Sequence, residues 1–455
     1  MSTALLIRPL RLAVFAGVAC AASLSTGVPA QPAVPAGPVG VVAAPRPDRP
    51  VPREIVMQVG DGQSADAVAG THGLTLLDQF GLRPIWRARI AAGDTVKRAV
   101  EALNADARVV YAEAHVEHQT PEGRHNVVWA IGGSEDEWAS QWAPKALRLP
   151  EAHALATGAG VRVALLDSGA DLAHSALAGR WARDGQGRLL GRDFVDGDND
   201  PSEAGGVGDP GFGHGTHVAG LVALAAPDAK LMPVRVLEPS GQGNVWVLAE
   251  ALMWAVDPDG NPLTADGADV VNLSLGTTRR TRFLDQVIEL ATCSDDDDDE
   301  EDGYDGPGFE ADKARCDAQG GSVVMAAAGN EAAAKPLIYP AAEQAEGQLS
   351  IAASTAKRRL ASFSSRGAWV NLAAPGDRIV STVPGDQWAV WSGTSMASPL
   401  AAGVAALLRE RQPDWKAVDV TKRLQDRSAG MCGTSLRQID AAAAVRDENP
   451  PVRGC

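Results

Sequence analysis

The stretch Val161-Arg-Val-Ala-Leu-Leu166, closed by Asp167-Ser-Gly169, decides how this chain is read. It is short, almost wholly apolar and stopped by turn residues, the signature of a strand buried on both faces. Runs of the same kind recur at 231–237, 270–275, 323–328, 349–353 and 378–382. Between them, helical spacing covers 214–225, 245–255, 283–291 and 395–409. Doubly buried strands alternating with helices predict an α/β fold, a doubly wound, mostly parallel sheet with helices on both faces. Ligands of such sheets sit outside the carboxyl ends of the strands. Chemistry is therefore expected just after those runs.

Three places there carry reactive side chains. Asp167 ends the first run. His214 opens a helix in Gly213-His-Gly-Thr-His-Val-Ala-Gly220, and Ser395 opens another in Ser392-Gly-Thr-Ser-Met-Ala-Ser-Pro399. A serine hydroxyl is a weak nucleophile until a base takes its proton. Histidine titrates near neutral pH and supplies that base. A carboxylate then holds the imidazole in one tautomer. Pro399 has no N–H, so the carbonyl of Ser395 lacks its usual helical partner, a loss tolerated at a helix entrance. Singly, each residue reads as a helix or turn cap. His214 and His217 could be read as metal ligands, but no third ligand stands at a zinc-like spacing.

Together the three motifs, in this order, resemble those of the subtilases, the subtilisin-like serine proteases. The resemblance covers roughly 138–450. It implies a serine endopeptidase with Asp167, His214 and Ser395 as the triad. It also implies that Asn330, at the end of Val323-Val-Met-Ala-Ala-Ala-Gly-Asn330, donates to the oxyanion with the Ser395 N–H. By the same matching, Ser274, Leu275 and Gly276 form one substrate edge. Ser240, Gly241 and Gly243 belong to the other, and Gly329 and Glu331 lie at the primary pocket. No cofactor is required for the chemistry; the partners are protein or peptide substrates. A catalytically retired binding fold is the rival reading, and four intact residues argue against it.

Residues 53–120 look like a small α+β unit and resemble the subtilase propeptide, which acts as an intramolecular inhibitor. Self-cleavage is expected between Glu117 and Glu137, in a polar connector over 121–137 read as exposed. The catalytic domain is then 138–455. Residues 1–30 read as a secretory signal: Arg8 and Arg11, an apolar run, then small residues. A minority reading makes Cys20 a lipidated cysteine. Residues 31–52 hold seven prolines and read as an extended linker. The expected address is secreted or periplasmic, without a transmembrane anchor, as a monomer.

The chain has 455 residues, 41 basic against 57 acidic, a net charge of −16. Nucleic acid is a poor partner for such a chain. Half the excess is the run Asp295–Asp302. It falls one residue out of register for a calcium loop, with Phe309 where the closing acid belongs, and reads as a solvated insertion at 293–316. Asp193, Asp196, Asp198 and Asp200 crowd a loop before His214, open to two readings: a structural calcium site or a polar turn. The turn at 223–229 is too short for the strong calcium loop of the best-known bacterial subtilisins. Outside the signal, four cysteines allow three pairings; local pairing, Cys293–Cys316 and Cys432–Cys455, closes two short loops and is the expectation.

Overall fold

The computed structural model describes residues 48–124, 129–294, 307–452 and 454–455. The expected signal, Cys20 and the acidic run lie outside them. The front unit runs β1 (Pro50–Val59), α1 (Ala65–His72), β2 (Thr75–Gln79), β3 (Ile85–Arg89), α2 (Val96–Asn104) and β4 (Val109–Gln119). Its strands pair antiparallel in the order β2-β3-β1-β4. Ser64 and Thr95 cap the two helices through their hydroxyls, each accepting a backbone N–H three residues on. Ile55, Met57, Leu103 and Ala112 form its own core. Val56, Tyr111 and Val116 instead join the large cluster that contains Trp246 and Phe283.

Two boundaries differ from the sequence reading. Strand β1 starts at Pro50, inside the proline-rich stretch, and Asp48 is buried. Gln119 to Glu122 and Arg124 are buried too, in β4 and the short helix α3 (Pro121–Arg124). Charge and proline content made these segments look solvated. Partners supplied from far along the chain bury them.

Beyond β5 (Trp129–Ile131) the chain enters its central sheet. The strands are β6 (Arg162–Asp167), β7 (Arg192–Asp193), β8 (Lys230–Arg235), β10 (Val270–Leu273), β11 (Val323–Ala327), β12 (Gln348–Ser354) and β13 (Leu372–Pro375), with β9 (Gln242–Asn244) set apart against β4. Two short strands, β16 (Ala429–Gly430) and β17 (Arg437–Gln438), finish one edge. The order is β16-β17-β13-β12-β11-β10-β6-β8-β7, and every pair from β17 to β7 is parallel. The run expected at 378–382 is not in this sheet. It forms β14 (Ile379–Val383), antiparallel to β15 (Gln387–Trp391), which pairs with β5. The place in the parallel sheet belongs to β13, whose four residues ending in proline gave no strand signal.

Strand β6 shows why both faces must be apolar. Val163 and Leu165 pack in one cluster with α4 (His214–Ala225) and α7 (Thr394–Arg411), through Val218, Val222, Leu400 and Val404. Ala164 and Leu166 pack in the other with α5 (Val245–Val256) and α6 (Arg282–Thr292), through Leu248, Leu252 and Val287. The two-residue period of the strand assigns alternate side chains to opposite helix layers. Burying each large aliphatic side chain contributes about 1.5–3 kcal/mol. Strand β6 has β8 on one side and β10 on the other, so the connections part at its carboxyl end. Asp167 stands at that switch point. The structure pairs Cys293 with Cys316 and Cys432 with Cys455.

Candidate active site

At the switch point Asp167 Oδ1 lies 2.6 Å from Nδ1 of His214, the first residue of α4. The same oxygen accepts the Ser168 N–H at 2.7 Å, which fixes the carboxylate. Helix α4 comes this close only because residue 215 is glycine: a Cβ there would stand 2.0 Å from the Gly169 carbonyl oxygen. Ser395, in the first turn of α7, is buried beside them. Pro399 interrupts the helical bonding of α7, and the Ser395 carbonyl is satisfied instead by the Ser274 hydroxyl at 3.1 Å. Asn272 ties the same strand end to α7, accepting from the Ser398 hydroxyl at 2.8 Å and donating to Ser274 at 2.9 Å.

Asn330 follows β11. Its Oδ1 accepts the Thr394 N–H at 3.0 Å and the Thr394 hydroxyl at 3.1 Å, so its amide nitrogen faces the serine. What it faces is Glu122, from the front unit. Asn330 Nδ2 donates to Glu122 Oε1 at 3.0 Å, and the Ser395 hydroxyl donates to Glu122 Oε2 at 2.7 Å. His214 Nε2 is 3.2 Å from that second oxygen. A carboxylate thus occupies the point where the Ser395 hydroxyl, His214 Nε2 and Asn330 Nδ2 converge. The space exists because residue 393 is glycine; a Cβ there would sit 1.9 Å from Glu122 Oε1.

Burial alone would push the His214 imidazole down. The charge and hydrogen bond of Asp167, then those of Glu122, outweigh it and raise the group to about 10. His214 is therefore an imidazolium clamped between two carboxylates. His217, one turn on, is pushed down to about 3 by burial and by His214, and it stacks on Trp391 with ring centroids 4.4 Å apart. It is a neutral packing residue.

The two edges expected to bind substrate hold a strand of the same chain. Glu117, His118 and Gln119 pair antiparallel with Asn244, Gly243 and Gln242. On the other side Gln119 exchanges two backbone bonds with Gly276, at 3.0 and 2.9 Å, and the Thr120 N–H reaches the Gly241 carbonyl at 3.2 Å. Gly276 thus borders one side of this strand, with Ser274 and Leu275 leading into it along the chain, and Gly241 and Gly243 border the other. Ser240 closes the turn before it, its hydroxyl accepting the Gln242 N–H. At Glu331 the carboxylate accepts the Ser365 hydroxyl at 2.9 Å. Gly329 has a left-handed backbone, and a Cβ there would stand 2.4 Å from that carboxylate.

Four residues escaped the sequence reading. Glu122 and Arg124 belong to Pro121-Glu-Gly-Arg124, which reads as a polar turn. Asp48 sits in a proline-rich run yet accepts from Arg124 at 3.0 Å, from Gln119 at 2.9 Å and from the Thr278 N–H at 2.6 Å. Glu203 is half-buried close to Asp167 and His214, accepting the Gly213 N–H at 2.9 Å, the Thr216 hydroxyl at 2.5 Å and the Ser168 hydroxyl. Burial raises it to about 7, although those bonds work the other way. Nothing in its sequence neighbourhood marks it; only the fold brings it close to Asp167.

The Asp193 loop is built as a polar turn. Arg235 Nη1 takes Asp193 Oδ2 at 2.5 Å and Asp196 Oδ2 at 2.6 Å. Asp193 Oδ1 accepts the N–H groups of residues 195 and 196. Asp198 accepts from the Asp200 N–H, and Asp200 from Ser202. Arg235 thus takes two of the four carboxylates, Asp193 and Asp196, as its own partners.

The model of the Subtilase family matches residues 158–443. M-protease of Shouchella clausii (strain KSM-K16) is 31% identical over 386 residues, 82% of each chain. Subtilisin Savinase of Lederbergia lenta is 33% identical over 318 residues, 67% of this chain and 98% of that one. Among solved structures, fervidolysin from Fervidobacterium pennivorans, described as a keratinolytic enzyme related to subtilisin, superposes with a TM-score of 0.64 at 21% identity. That likeness covers 87% of this chain and 61% of fervidolysin, so the chain spans about three fifths of its length.

Proposed function

The chain belongs to the subtilase family and is a serine endopeptidase, and from that premise we propose that it works through Asp167, His214 and Ser395 and is made as an exported, self-inhibited zymogen. The observation that carries this reading is the convergence of the Ser395 hydroxyl, His214 Nε2 and Asn330 Nδ2 on one carboxylate group. A nucleophile, its base and an oxyanion donor gathered around one point are what acyl transfer requires.

With a peptide in place of Glu122, the Ser395 oxygen attacks the scissile carbonyl carbon and its proton passes to His214 Nε2. Asp167 stays ionised, holds Nδ1–H and stabilises the imidazolium. Asn330 Nδ2–H and the Ser395 N–H receive the oxyanion. Collapse breaks the C–N bond, and His214 returns the proton to the leaving amine. Water, deprotonated by His214, then hydrolyses the acyl-enzyme and restores Ser395. The substrate main chain adds as a strand between the Gly241–Gly243 and Ser274–Gly276 edges, where Gln119 lies now; backbone pairing of this kind demands little of the sequence.

The front unit serves as the inhibitor, and a cut beyond Glu117 releases it. Residues 1–30 direct export to a secreted or periplasmic address. Among the described residues no helix is long and apolar enough to cross a membrane. Labelling with a phosphonofluoridate tests the reading. Stoichiometric modification of Ser395 is expected in the matured protein, with none in Ser395→Ala. A folded, matured wild type that takes no label overturns it.

A further inference from the structure

An element that lends no residue to the cleft also holds the front unit. The helix Pro307–Gln319 runs out of the expected insertion. Gly308, Phe309, Asp312 and Arg315 are buried along it, at the three- and four-residue spacing of a single helix face, while Glu310, Ala311, Lys313 and Asp317 are exposed. Two ties fix the helix to the end of α6: Cys316 is bonded to Cys293, and the Arg315 guanidinium donates to the Leu290 carbonyl. The buried face meets the turn between β2 and β3. Arg83 Nε donates to Asp312 Oδ2 at 2.8 Å and Nη2 to Asp312 Oδ1 at 2.6 Å, and the two side chains are only 10% and 8% exposed. Gly308 lets the turn in, since a Cβ there would stand 2.6 Å from Arg83 Cγ. Phe309 joins Phe80 and Ile85 in one cluster. Resting on the inhibitor reading above, we propose that this helix is a second docking site for the front unit, one that keeps the unit bound after Glu122 has left Ser395.

The contact locks the unit as well as covering it. Guanidinium and carboxylate meet in a two-pronged pair, which fixes direction along with charge. Both groups have lost water, so removing either leaves the other buried and unpaired. The Arg83 guanidinium also lies over the Phe80 ring, 4.8 Å from its centre, and Phe80 meets Phe283 of α6 edge-on at 5.0 Å. Charge and packing thus converge on one turn. A cut beyond Glu117 leaves these contacts intact, since Arg83 lies before it and Asp312 far after it. Glu122 holds the cleft, and Asp312 holds the body of the unit. Two contacts joined through one folded unit raise the effective concentration of each, so loss of the plug alone does not release the unit.

Amide-resolved deuterium exchange on the full chain, held uncut by Ser395→Ala, tests the contact without relying on any cleavage. The reporter is the Phe283 N–H, which donates to Glu113 of β4 at 3.0 Å and is freed when the front unit lifts off. Asp312→Asn should speed its exchange at least about 30-fold, the low end for stripping one partner from a buried charge pair, and leave β6 unchanged. Arg83→Leu should do the same, and the double variant should exchange about as fast as either single one, because both changes remove one contact. In the self-cutting chain, Asp312→Asn should speed loss of the cut front unit on size exclusion by a like factor, with kcat/KM per labelled Ser395 kept within about twofold. Exchange at Phe283 within about threefold of the parent, in either single variant that folds, overturns the proposal. Single effects that simply add in the double variant do so too. A parent chain that never cuts itself, or a matured one that takes no label, sinks the inhibitor or the catalytic reading instead, and the exchange result still decides the docking site.

Discussion

Glu122→Ala removes the acceptor shared by Ser395, His214 and Asn330 at 2.7, 3.2 and 3.0 Å. Hydrogen bonds to a charged group are worth about 1.5–3 kcal/mol net. The three bonds act as one site, and burying Glu122 cost solvation, so we expect that range for the set rather than for each bond. It corresponds to a roughly 10- to 100-fold larger open fraction of the uncut chain. Pulse labelling with a phosphonofluoridate, read on the full-length band before any cut, measures that fraction directly. The variant should label 10 to 100 times faster, and Glu122→Gln should fall between it and the wild type. The imidazole gives the experiment a pH signature. Against burial, Asp167 first and then Glu122 raise its value to about 10 in the closed form, and Asp167 stays beside it in the open one, so only the part that Glu122 adds is linked to closure. A histidine held higher in the closed form than in the open one stabilises closure fully below its open-form value, and that stabilisation is lost as pH climbs through the closed-form one. Labelling of the wild type should therefore accelerate between neutral pH and about 10, and Glu122→Ala should flatten that rise. Equal labelling rates at pH 7, in a variant that melts like the wild type, would refute the assignment of Glu122 as the plug.

Three further expectations rest on separate grounds. Asn330→Ala should lower kcat by about 10²–10³ with little change in KM, the size of loss known for the oxyanion asparagine of subtilisin itself. Glu203→Ala strands the Thr216 and Ser168 hydroxyls and the Gly213 N–H, at about 1–3 kcal/mol for buried groups left unpaired; calorimetry should show a lower Tm, with Glu203→Gln milder. Self-cleavage between Glu117 and Glu137 predicts that N-terminal sequencing of the earliest processed form finds a start within that window; a mature chain still beginning near Gln31 would overturn the inhibitor reading.

The sequence by itself determined the parts that depend on local pattern. The apolar run before Asp167 had to be a strand buried on both faces, because each alternate residue needs its own helix layer. Pro399 placed Ser395 at a helix entrance. That feature, with the resemblance to the subtilase motifs, singled out Asp167, His214, Ser395 and Asn330 before any coordinates, and the fold brings the four together. Tertiary structure decided the rest. Leu372–Pro375 rather than the neighbouring 378–382 run completes the parallel sheet, because neighbours and not propensity choose between two short apolar segments. The Asp193 loop closes on Arg235, a residue near in space only once β7 and β8 pair. Glu122, Arg124 and Asp48 read as solvated charges because polarity is all a sequence shows of them. Their burial requires acceptors and donors from residues about 70 to 270 positions away, and only the folded chain brings those within hydrogen-bonding distance.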